Sequence, residues 1–163
     1  MKQQKLIMAA ILLLLMIKPV LALEHVQKDG LFSMDVPEAW HWNEFPGEVV
    51  IAYPDGKDAA MDIQMVPVQH LSPADIAQRL KENSDALIKQ INAHGGTLID
   101  QKMIKVDQVD ASEVDFKTGQ GADAVVVTYV SFFHQGEGFK ITYGSNDVKT
   151  HAVLDDVIAS IKF

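Results

Sequence analysis

"AVVVTYVSFFHQGEGFKITYGS", residues 124–145, decides the fold class of this chain. Its first ten residues are dense in β-branched and aromatic side chains, which fit a pleated, half-buried surface. "HQGEG" then turns the chain, and "FKITYGS" runs on as a second apolar–polar segment. Two strands joined by so few residues must be antiparallel neighbours, because a parallel return needs a crossover of a dozen residues or more.

Working outward, the same grammar repeats. "TLIDQKMIKV" (97–106) and "DASEVDFKT" (110–118) form a pair of strands, and "GQGAD" (119–123) turns the second into the run above. "EVVIAYPDGKDAAMDIQMVPV" (48–68) is a hairpin, with Pro54-Asp55-Gly56 as its turn. "GLFSMDVP" (30–37) alternates Phe32, Met34 and Val36 with Ser33 and Asp35, a half-buried strand that Pro37 ends. Between the hairpins lies "HLSPADIAQRLKENSDALIKQINAHGG" (70–96), a helix. Ser72 is its N-cap, Pro73 its first residue and Gly95-Gly96 its stop. Its apolar stripe is Ile76, Leu80, Leu87 and Ile91, with Ser84 as a polar gap. A last helix starts at Asn146 or Asp147 and carries Val153, Leu154, Val157, Ile158 and Ile161 at helical spacing. The expected architecture is α+β: a mainly antiparallel sheet of about six strands with helices packed on it.

The amino terminus reads differently. Lys2 and Lys5 precede the apolar run "LIMAAILLLLMI" (6–17), and Val20 and Ala22 stand at the −3 and −1 positions of a cleavage site. These are the three parts of a secretory signal peptide, residues 1–22. The run is shorter than the roughly 20 residues that span a bilayer, so no stable membrane span is expected once it is cut. Residues 23–163 then form a single exported domain, periplasmic or secreted. Loss of Lys2, Lys5 and Lys18 would move the formal charge from −8 to about −11. Such a surface repels nucleic acid and anionic lipid. The chain has no cysteine, which excludes thiol nucleophiles, thiolate metal sites and iron–sulfur clusters.

Chemistry-bearing motifs are sparse. The glycine clusters at 119–123 and 136–138 precede strands and lack the helix that a phosphate loop needs. There is no HExxH and no GxSxG, so neither a zinc protease nor a hydrolase elbow is present. Asp147, His151 and Asp155 recur at i, i+4 and i+8 of the last helix, ligand types that suit a divalent metal. That face is expected to point away from the core, into solvent. His134 with Glu137 is a second pair, at a hairpin tip. Trp40 and Trp42, with His41 between them, would share one face of an extended segment. His41 and Trp42 are the candidate ligand or partner surface, whereas Trp40, just past the strand-ending Pro37, is expected to be scaffold.

"LFSMDVPEAWHW" (31–42) resembles the opening strand of PsbP-like domains. "VVIAYPDGKDAAMDIQMVPV" (49–68) looks like the hairpin that follows there, and "DDVIASIKF" (155–163) is similar to their close. The resemblance spans the whole segment after the signal peptide. It implies an α/β/α sandwich around an antiparallel sheet, with Pro37 and Trp40 as fold markers. It also implies an accessory, binding or assembly role with no shared catalytic residues; no cofactor is expected. The resulting expectation is a non-enzymatic exported protein with a protein partner in the cell envelope. A small-ligand or divalent-metal-binding protein is the alternative, and a hydrolase the third reading. Nothing in the sequence sets the oligomeric state.

Overall fold

The structure, a computed structural model, describes residues 22–28, 30–52 and 59–163. The expected turn Pro54-Asp55-Gly56 and the expected signal segment, except Ala22, lie outside the described residues. The strands are β1 (Leu23–Lys28), β2 (Phe32–Pro37), β3 (His41–Phe45), β4 (Glu48–Ala52), β5 (Ala59–Pro67), β6 (Thr97–Val106), β7 (Val109–Thr118), β8 (Val125–His134) and β9 (Glu137–Ser145). Helix α1 (Pro73–Ala93) follows β5, and α2 (Val148–Ser160) follows β9. Seven strands form one sheet in the order β3-β4-β5-β9-β8-β7-β6, and β1-β2 form a separate hairpin. Every pairing is antiparallel. The sheet is larger than the expected six strands because of β3, and β1 adds to the hairpin. Both escape pattern reading for one reason. Val26 is the only buried residue of β1, and β3 has none, so neither shows a clean apolar alternation.

The β8–β9 hairpin closes between His134 and Glu137, leaving Gln135 and Gly136 as a two-residue loop. Both have positive φ, 48° and 84°. Such a turn matches the twist of the flanking strands. The β6–β7 loop does the same at Asp107 and Gln108, with no glycine to ease it. Asp107 is secured from the chain end: its carboxylate accepts the Phe163 N–H at 2.9 Å and Lys162 Nζ at 3.1 Å. The Phe163 N–H first, then Lys162, hold that carboxyl below the ordinary carboxylate range.

Side chains along a strand alternate between the two sheet faces. Ser112 and Ser131, paired across β7 and β8, face α1. Thr128, three residues from Ser131 on β8, faces α2. The two helices therefore cover opposite faces, which makes the α/β/α sandwich. Ser72 caps α1 in a reciprocal capping box with Asp75. The polar gap in its stripe, Ser84, is fully buried: it donates to the Leu80 carbonyl at 3.0 Å and meets Ser112 Oγ at 3.0 Å. Ser112 meets Ser131 Oγ at 2.9 Å. A chain of three small hydroxyls, each hydrogen-bonded, lets α1 lie close on the sheet.

The core fills the opposite layer. Ile51, Met61, Ile63 and Ile141 of the sheet pack under Leu154, Val157 and Ile158 of α2. The β1–β2 hairpin closes the rest of that face with Val26, Phe32, Met34 and Val36. Phe132 and Phe139 stack at 4.7 Å, and Phe163 meets both edge-on.

On the α1 face, the β4–β5–β9 part of the sheet leaves Gln64, Lys140 and Thr142 exposed. There Asp62 and Glu48 lie diagonally across β4 and β5. Partial burial, and then the Glu48 carboxyl, raise the Asp62 carboxyl above its ordinary value. The folded state thus holds extra protons in the window just above the ordinary carboxylate range. Stability contributed by this group is full below that range and is lost as pH rises through the raised value. Asp62→Asn should therefore raise the melting temperature at pH 7 and give no gain near pH 3, measured by thermal scans at both. A gain of equal size at both pH values would contradict this reading.

Candidate functional site

A groove lies on the α2 face, between α2 and strands β6, β7 and β8. It encloses about 460 Å3, within the size range of small-molecule sites. Its floor is Glu113, Asp115 and Thr128; one wall is Lys102 and Ile104 of β6, the other His151 and Asp155 of α2. Register explains the floor: Glu113 and Asp115 share a face of β7, and Asp115 stands opposite Thr128 of β8 and Asp100 of β6.

These polar groups form two linked sets. Lys102 Nζ lies 2.6 Å from Glu113 and 3.8 Å from Asp115. The Glu113 contact holds the Lys102 ammonium above its ordinary value. Thr128 Oγ1 donates its one proton to Asp115 at 2.6 Å, so at 3.1 Å from His151 Nε2 it must accept. His151 then carries its proton on Nε2, while Nδ1 is buried with no hydrogen-bond partner. Beside it, Tyr143 donates to Asp155 at 2.8 Å. Burial first, then that hydrogen bond, push the Tyr143 phenol far above its ordinary value, so it stays protonated throughout the neutral range.

Of the candidate metal ligands, the structure brings together two. His151 Nε2 and Asp155 Oδ1 are 3.8 Å apart. Asp147 is the N-cap of α2, and its carboxylate accepts from the Thr150 N–H at 2.8 Å and hydroxyl at 2.7 Å. That bonding holds Asp147 below the ordinary carboxylate range. Among the described residues no group of three or more His, Asp or Glu is placed to hold a metal ion. The expected outward orientation of this helix face is corrected in part. Asp155 is 55% exposed, but the His151 side chain is only 16% exposed and faces the sheet. The imidazole also leans on Tyr143, with ring centroids 5.3 Å apart, which draws it inward.

The tryptophans do not form one extended face. Trp40 sits in a turn whose N–H donates to the Pro37 carbonyl at 2.8 Å, and β3 starts only at His41. Trp40 is 5% exposed, in the core. Trp42, opposite Ile51, leans half-buried on that core, while His41 points into solvent. His134 stacks on Phe163 with centroids 4.2 Å apart, which explains its partial burial at a hairpin tip.

Sequence reasoning missed Lys102, Glu113, Asp115, Thr128 and Tyr143. The available signal was the placement of Glu113 and Asp115 on one side of a strand whose other side carries Ser112, Val114 and Phe116. Which residues of β6 and β8 face them depends on register, and register is not written locally.

The fold, an antiparallel sheet between two helices with an added hairpin, is that of PsbP-like domains. The cyanobacterial PsbP of Synechocystis shares it with a TM-score of 0.64, 11% identity, and coverage of 88% of this chain and 93% of that one. The Ran-binding protein Mog1p of Saccharomyces cerevisiae does so at 0.56 and 9% identity, covering 87% and 95%. LpqN of Mycobacterium tuberculosis, described as involved in cell envelope biogenesis, aligns at 0.50 and 17% identity, covering 87% and 91%. No protein-family model and no curated protein sequence matches the chain.

Proposed function

We propose that this chain is an exported, non-enzymatic accessory protein that binds a protein partner in the cell envelope through the groove between α2 and β6–β8. The observation that carries the reading is the groove's construction. Its charged and hydroxyl groups come from five elements and are already fixed in mutual hydrogen bonds and ion pairs. Such pre-organised groups recognise a partner at little ordering cost. They are poorly disposed for proton transfer: Tyr143 is held protonated, and the Thr128 proton is committed to Asp115. The Ran-binding and cell-envelope descriptions of structural neighbours support a binding role. The signal-peptide pattern of residues 1–22 supports export. Groove size favours a second reading, a small-ligand site.

The test is mild crosslinking in the envelope followed by co-purification, with wild type and with His151→Ala. The mature chain should begin at Leu23 by mass, and a partner enriched with wild type should be lost at least about tenfold from the variant. If wild type enriches nothing beyond an unrelated exported protein, the partner reading fails. Calorimetry with small-molecule pools then decides the second reading.

A further inference from the structure

Strand β6 is an edge strand, ten residues long, and pairs only with β7 among the described residues. Nearly all of it is exposed, including the large apolar side chains Leu98 at 37%, Ile99 at 54% and Met103 at 60%. A long edge with unpaired backbone groups and apolar side chains is a template for another strand. Its lysines do little to repel one, because Lys102 folds back on Glu113 and Lys105 on Asp110.

The sequence of the edge says which strand fits. We propose that two copies of this chain pair antiparallel through β6, about a two-fold axis at Gln101, extending one continuous sheet across both. In a symmetric antiparallel pair, directly opposite residues share a sheet face, so the register can move only in steps of two. With Gln101 opposite Gln101 of the second copy, Asp100 faces Lys102 twice over, two opposite-charge pairs. One step either way puts Asp100 opposite Asp100, or Lys102 opposite Lys102, which is repulsive. The register that matches the charges also sets Met103 opposite the irregularity at Leu98–Asp100, where Ile99 is the extra residue. Leu98 and Met103, which share the α1 face of the strand, are then brought together from both copies, while Ile99 lies on the groove side. Because the axis is perpendicular to the sheet, both α2-side grooves open on the same side of the dimer.

Sedimentation of the purified chain tests this with Asp100→Lys and Lys102→Asp. Wild type is expected to dimerise reversibly. Each variant alone faces like charges and should associate roughly tenfold or more weakly. An equimolar mixture should recover a 1:1 dimer, since every pair is again of opposite sign. Circular dichroism of each variant separates loss of pairing from loss of fold. If Lys102→Asp does not fold, Gln101→Cys decides: in a chain with no native cysteine, it should form the interchain disulfide much faster than Gln78→Cys on the exposed side of α1. A monomeric wild type, a mixture that stays monomeric, or equal disulfide rates at the two positions would overturn the proposal.

Discussion

Trp40→Ala is expected to melt about 10 °C below wild type. The indole is 5% exposed and sits where the turn after β2 leads into β3, inside the core shared by the β1–β2 hairpin, the sheet and α2. Truncating a buried Trp costs about 3–5 kcal/mol, from lost transfer energy and the cavity left behind. In a domain of this size each kcal/mol is worth about 2–4 °C. Trp42→Ala should cost clearly less, because its ring only leans on the core. Calorimetric scans of the two variants check this, and an inverted order would place the structural weight on the wrong indole.

Phe132→Ala is expected to cost about 3–5 kcal/mol as well, by a different route. Phe132 is 1% exposed, stacks on Phe139 and meets Phe163 edge-on. Phe163 also stacks on His134, and its N–H is held by Asp107 at the β6–β7 turn. Loss of the ring should therefore loosen the carboxy-terminal tie along with the core. Hydrogen exchange is the discriminating readout. Amides of Lys162 and Ser33, which bond each other's carbonyls at 2.8 Å, should lose protection more than those of α1. Equal loss everywhere would mean that Phe132 contributes only bulk burial.

The architecture was legible where local chemistry speaks. The β8–β9 hairpin, the capped helix from Pro73 and the pairing of β6 with β7 follow from propensity, turn residues and periodicity. The resemblance in residues 31–42 and 155–163 pointed to the sandwich. What stayed hidden was set by tertiary contacts. Strand β1 is a strand because β2 offers it an edge, not because "LEHVQK" alternates. Ser84 looked like a flaw in an apolar stripe, but only the register of β7 against β8 brings Ser112 and Ser131 beneath it. The same dependence concealed the groove. Asp147, His151 and Asp155 are neighbours in any helical reading, yet capping claims Asp147. The partners of His151 are Thr128 and Tyr143, supplied by two strands of the sheet.

If the groove is the contact surface, site-specific photocrosslinking in the cell should trap the partner there. A photoreactive residue is placed at Ala159, on the groove wall of α2, and in a second strain at Gln78 on α1. A discrete adduct is expected from position 159, absent from position 78 and lost when His151→Ala is added. Identical adducts from both positions, or none from 159 in a correctly exported protein, would contradict the groove as the contact surface.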